Sequence, residues 1–86
     1  MKHQYYEKLK TFLQKEITTS AVEHQYTNEK ASEELKISTR NYSNIKSGKY
    51  SCSTETLCMF IVKMCVDRNA FIERLIAIIE EVENEL

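Results

Sequence analysis

This chain has no proline, no tryptophan and a single glycine, Gly48. Sheet-rich proteins need glycine and proline for their many turns, so helices are expected throughout. Apolar runs are short and the longest is interrupted by Lys63. None approaches the roughly 20 apolar residues of a membrane helix. The opening MKHQYYEKLK has no apolar core, so no secretory leader is expected there. Cys52, Cys58 and Cys65 are odd in number and lie six and seven residues apart. That fits neither a disulfide framework nor a CxxC zinc site. Three reduced, partly buried thiols in a cytoplasmic protein are expected instead.

Catalytic constellations are equally scarce. His3 and His24 have no cysteine or acid at ligand spacing and read as surface residues. The pairs Glu33-Glu34 and Glu80-Glu81 are adjacent, so on a helix they point about 100° apart and form no acid–base dyad. No serine or threonine has a histidine with a supporting acid beside it. No catalytic residue, metal ligand or cofactor is expected, and the chain does not read as an enzyme.

What is present is an uneven spread of charge. The 86 residues form one domain with a net charge of −1. Residues 1–50 hold nine Lys/Arg and six Glu, a balance of +3. Residues 51–86 hold three Lys/Arg and seven Asp/Glu, a balance of −4. Lys36 to Thr54 contains Lys36, Arg40, Lys46 and Lys49 and no acid at all. Such asymmetry can mark a basic binding face on an acidic body, and in so short a chain it can also arise by chance.

Five helices follow from periodicity and caps. Tyr5, Leu9, Phe12, Leu13 and Ile17 recur at three- and four-residue steps and define an amphipathic first helix. Its end is expected near Thr18-Thr19-Ser20, with Val22 and Tyr26 as the alternative extension of its apolar face. Thr27 caps a short second helix that stops near Lys36-Ile37. Ser38 caps a third, Thr39 to about Ser47, with Tyr42 and Ile45 inward and Gly48 ending it. Ser53 caps a fourth carrying Leu57, Phe60, Ile61, Met64 and Cys65. Asp67 caps the last, about 68–85, with Phe71, Leu75, Ile78, Ile79, Val82 and Leu86 as its stripe. The second and third helices are about three residues apart, the spacing of a helix-turn-helix.

Three segments then fall into one register: Leu35-Lys36-Ile37-Ser38, Ile45-Lys46-Ser47-Gly48-Lys49 and Ser53-Thr54-Glu55-Thr56-Leu57. Over roughly Tyr26 to Asp67 the chain resembles the XRE family, the phage-repressor and Cro type of helix-turn-helix. It departs from the family pattern at Lys36, where glycine is frequent, at Ala31, where a bulky apolar residue is common, and at Cys52, where proline is frequent. The resemblance implies a lambda-repressor-like five-helix bundle with its motif at about 27–47. It also implies sequence-specific binding of double-stranded DNA, with the third helix in the major groove.

In that register Thr39, Arg40, Ser43 and Asn44 face base edges. Arginine suits the O6 and N7 of guanine, asparagine the N6 and N7 of adenine, and threonine a thymine methyl. Thr27, Asn28, Asn41, Lys46, Lys49 and Tyr50 fall to phosphates. The resemblance points to a transcriptional regulator, most simply a repressor. Two further contacts stay open. The last helix either completes the monomer or packs on a second copy as a homodimer. The same fold also serves as a protein-interaction module, an antitoxin or adaptor, for which the low net charge speaks.

Overall fold

The computed structural model describes residues 2–85, with side chains from Tyr5 onward. Among these residues there are five helices and no strand: α1 Lys2–Glu23, α2 Asn28–Leu35, α3 Thr39–Lys46, α4 Thr54–Lys63 and α5 Arg68–Glu85. The expected places of His3 and Leu86 lie outside the described side chains. No described helix is long and apolar enough to cross a membrane.

Each expected cap is formed. The Thr27 hydroxyl accepts from the Lys30 N–H at 3.1 Å, Ser38 from Asn41 at 3.0 Å and Ser53 from Thr56 at 3.1 Å. The Asp67 carboxylate accepts from the Ala70 N–H at 3.1 Å. A side-chain acceptor at this position satisfies an N–H that the helix itself leaves unbonded.

The helix ends share another device. After α1, Tyr26 N–H donates to the Ala21 carbonyl and Gln25 N–H to Val22. After α2, Ile37 N–H donates to Ser32 and Lys36 N–H to Glu33. After α3, Lys49 N–H donates to Asn44 and Gly48 N–H to Ile45. These are three Schellman turns, each built around one left-handed residue. Their φ values are +60° at Gln25, +57° at Lys36 and +80° at Gly48. Only the third uses glycine, so Gln25 and Lys36 each carry a conformational cost of roughly 1 kcal/mol.

The first helix runs past its expected end. Thr18 remains helical because its hydroxyl donates to the Gln14 carbonyl one turn back, at 2.8 Å. Ser20 and Ala21 are buried and hold the final turn onto the core. Val22 is 76 % exposed and does not extend the apolar face; Tyr26 does, packing half-buried against it.

The core joins all five helices: Ile17 from α1, Ala31 and Leu35 from α2, Tyr42 and Ile45 from α3, Phe60 from α4 with Met64 just beyond it, and Phe71 from α5. Phe71 sits at its centre, stacked on Phe12 at 5.7 Å and edge-on to Phe60 at 5.2 Å. The main packed pairs are α1 on α5, α2 on α3, α2 on α4 and α1 on α3. The stripe of α5 is only partly covered. Phe71 and Val82 are buried, but Ile79 is exposed, together with Ile72 and Ile76. Cys58 is also exposed rather than partly buried, while Cys52 and Cys65 are intermediate; all three are free thiols.

Candidate nucleic-acid interface

Tyr42 and Ile45 root α3 in the core, buried to 1 % and 3 % exposure. With about 3.6 residues per turn, the opposite face is then fixed. It carries Arg40, Ser43 and Asn44, the first two exposed and the third intermediate. Thr39 and Lys46 lie on the flank toward α2. The Thr39 hydroxyl is 3.5 Å from the Ser32 hydroxyl, which in turn donates to the Glu29 carbonyl at 2.8 Å. Lys46 Nζ donates to Asn28 Oδ1 at 3.1 Å. That bond brings two expected phosphate contacts, one from the start of α2 and one from the end of α3, to a single point.

Thr27 sits beside them. Its hydroxyl oxygen accepts from Lys30 N–H, which leaves the O–H proton available to an outside acceptor. Asn41 is placed differently. It is exposed on the other flank, over a groove of about 410 Å³ lined by Leu35, Ile37, Ser53, Thr56 and Met59. It is therefore separated from the Asn28–Lys46 contact by the width of α3.

Lys49 and Tyr50 follow the Schellman turn. The Asn44 carbonyl is the anchor of this loop, accepting from Lys49 N–H at 2.9 Å, Tyr50 N–H at 3.4 Å and the Ser47 hydroxyl at 3.1 Å. Lys49 Nζ lies 5.5 Å from the centroid of the Tyr50 ring, and both residues are exposed. A cation over an aromatic face keeps its charge accessible to a second, anionic partner. Asn44 thus has two attachments: its backbone fixes the loop while its side chain belongs to the outer face.

The electrostatic pattern follows. Among the described residues the ion pairs are Lys8–Glu81, Lys8–Glu85, Lys10–Glu7 and Arg74–Glu16. None involves Arg40, Lys46 or Lys49. Their partners are neutral, an amide oxygen for Lys46 and a ring for Lys49. The exposed Glu29 and Glu55 stand in the first turns of α2 and α4, the helices before and after α3.

One participant was not legible in the sequence. Gln14 of α1 donates through Nε2 to the Lys46 carbonyl at 2.8 Å. It lies outside the segment that carries the family resemblance, and a glutamine between Leu13 and Lys15 signals nothing by itself. His24 likewise has a local duty: it is exposed, stacked on Tyr26 at 4.9 Å, with Nε2 2.8 Å from the Met64 carbonyl. No group of three or more His, Cys, Asp or Glu is placed to hold a metal ion among the described residues.

Burial raises the Cys52 thiol and the Tyr42 phenol above their ordinary values. Neither group lies on the outer face of α3. Compared with protein-family models, with curated proteins and with solved structures, the chain matches none of them.

Proposed function

We propose that this chain is a sequence-specific DNA-binding regulator of the XRE helix-turn-helix type, acting as a repressor. The observation that carries the reading is the outer surface of α3 and the loop after it. Arg40, Ser43, Lys46, Lys49 and Tyr50 are solvent-exposed there, and no carboxylate pairs with the three cations among the described residues. A major groove about 12 Å wide admits one helix presented in this way. Arg40 and Asn44 are the base readers, with Thr39 and Ser43 beside them. Asn28, Lys46, Lys49 and Tyr50 are the phosphate contacts, with Thr27 and Asn41 at the margins.

The test is selection from a random duplex library, then titration of the enriched duplex across a salt series. The expected result is a short enriched motif and an affinity that falls steeply with salt, by about 0.9 in log–log slope for each phosphate contact. Weak binding with no enriched motif would remove the reading.

A second reading has its own observation. Ile72, Ile76 and Ile79 form an exposed apolar row on α5. Such a row fits a protein contact better than a nucleic-acid one. A second copy bound there would make a twofold reader of paired half-sites. A different protein bound there would make the chain an antitoxin or adaptor. Sedimentation of the purified chain separates these two: a concentration-dependent dimer supports the first.

A further inference from the structure

We infer that Gln14 is a positioning residue for the phosphate contacts of Lys46, Lys49 and Tyr50, acting from α1 without touching the nucleic acid; this rests on the DNA-binding reading above.

The last carbonyls of a helix have no partner within it. At the end of α3 the Schellman turn satisfies Asn44 and Ile45, through Lys49 N–H and Gly48 N–H. The Tyr50 N–H, which would reach Lys46 in a continued helix, turns instead to Asn44. The Lys46 carbonyl is left over, and Gln14 Nε2 fills it at 2.8 Å.

Gln14 is well placed to hold this point. It is intermediate in exposure and follows Leu13, with Ile17 one turn on, both buried. Its own carbonyl accepts from the Thr18 hydroxyl. Its amide lies against Gly48: a Cβ there would come 3.1 Å from Gln14 Oε1 and 3.5 Å from Nε2. Position 48 therefore takes glycine for two reasons, the positive φ and the amide seated over it. One α1 side chain thus clamps the residues from Lys46 to Gly48, and Lys49 and Tyr50 extend directly from that clamp.

The measurement needs two parts on the full chain. The first is amide hydrogen exchange in the absence of DNA, comparing the wild type with Gln14→Met, which keeps the length and loses the donor. Faster exchange across 47–50, with the core amides unchanged, is expected. Unchanged exchange at 47–50 overturns the clamp whatever the chain binds.

The second part is a double-mutant cycle on the selected duplex, with Gln14→Met, Lys49→Ala and both together. Gln14→Met is expected to lower affinity roughly tenfold near 0.1 M salt and to flatten the salt slope by about one phosphate contact. The ranking of duplex sequences should stay unchanged, and the loss should shrink sharply when Lys49 is already alanine. Full additivity, or wild-type affinity and slope in Gln14→Met, overturns the positioning role. A wild type that binds no duplex overturns the DNA reading and this role with it, while the exchange result still decides the clamp.

Discussion

The seam between α1 and α5 and the outer face of α3 handle charge in opposite ways. In the seam Lys8 and Arg74 each find a carboxylate. Arg74 meets Glu16 through two bonds of 2.7 Å, Lys8 meets Glu81 and Glu85, and the Tyr5 hydroxyl bonds to Glu83. On α3 and its loop Lys46 meets an amide oxygen and Lys49 an aromatic ring, and among the described residues no carboxylate pairs with Arg40, Lys46 or Lys49. Charge in the seam is used within the molecule, and on the DNA-binding reading proposed above the charge on α3 serves a partner outside it. A net charge of −1 conceals this division, since acids elsewhere in the chain, five of the 13 on α5, balance the total. Net charge thus says little about how charge is distributed in a chain of this size.

The sharpest way to break the contrast is Arg40→Ala. Loss of a two-pronged contact to a guanine costs about 1–3 kcal/mol of discrimination, so affinity for the selected duplex should fall by about 5- to 150-fold. Preference should relax at one base position and persist at the others. Arg40→Lys should restore little, because a point charge cannot replace a planar fork. Thermal unfolding should be nearly unchanged, as Arg40 is exposed. An unaltered ranking of duplexes would mean that α3 lies in some other orientation.

Lys36→Gly addresses the root of α3 instead. Lys36 holds φ +57° in the turn between α2 and α3, and glycine relieves that strain while enlarging the entropy of the unfolded chain. A net gain of about 0.5–1 kcal/mol is expected, or about 3–6 °C in the unfolding midpoint of a small domain. The same variant removes one cation from the acid-free segment. A salt slope reduced by about 0.9 would add Lys36 to the phosphate contacts. An unchanged slope would leave it a purely conformational residue.

The sequence made some of this legible and not the rest, and the dividing line is the distance over which a signal acts. The caps at Thr27, Ser38, Ser53 and Asp67 are interactions across three residues, so residue type and spacing disclosed them. Gly48 declared its turn, because glycine is the usual left-handed residue. Gln25 declared nothing: it adopts the same conformation only because Tyr26 packs onto the core beyond it. The end of α1 was misread for a related reason. Hydroxyl residues compete with the helix in isolation, but Thr18 bonds back along the helix and Ser20 is covered by tertiary packing. On α5, six apolar positions fitted one stripe, yet α1 and the core cover only part of it, leaving Ile79 outside. Gln14 joins residue 46 across 32 positions of chain, and no local pattern encodes that.

The seam itself predicts the reverse of the Arg40 result. Arg74→Ala removes a pair in which the Arg74 side chain is 51 % exposed and Glu16 17 %. Surface pairs of this kind contribute about 0.2–1 kcal/mol, so the unfolding midpoint should drop by a few degrees. Affinity, salt slope and duplex ranking should all stay at wild-type values. A drop in affinity comparable to that of Arg40→Ala would show that the two regions do not divide the charge as the contrast requires.

The smallest expected effect concerns alkaline pH, where both regions respond in the same direction. Lys8 is raised by its bonds to Glu81 and Glu85, and Tyr42 is raised by burial beneath α3. A group with a raised native pKa keeps its contribution below its unfolded value and loses it above. The native state holds the proton there while the unfolded chain releases it. Stability should therefore be flat through neutral pH and begin to fall above about pH 10, where unfolded tyrosine and lysine titrate, with Cys52, raised in the same sense, beginning somewhat earlier. Unfolding midpoints measured from pH 7 to 11 check this. Tyr42→Phe should flatten the alkaline fall more than Lys8→Met, because the phenol is buried while the ammonium lies at the surface, where solvent screens its partners. If Lys8→Met flattened it more, the seam rather than the root of α3 would be the part of the molecule that alkali opens first.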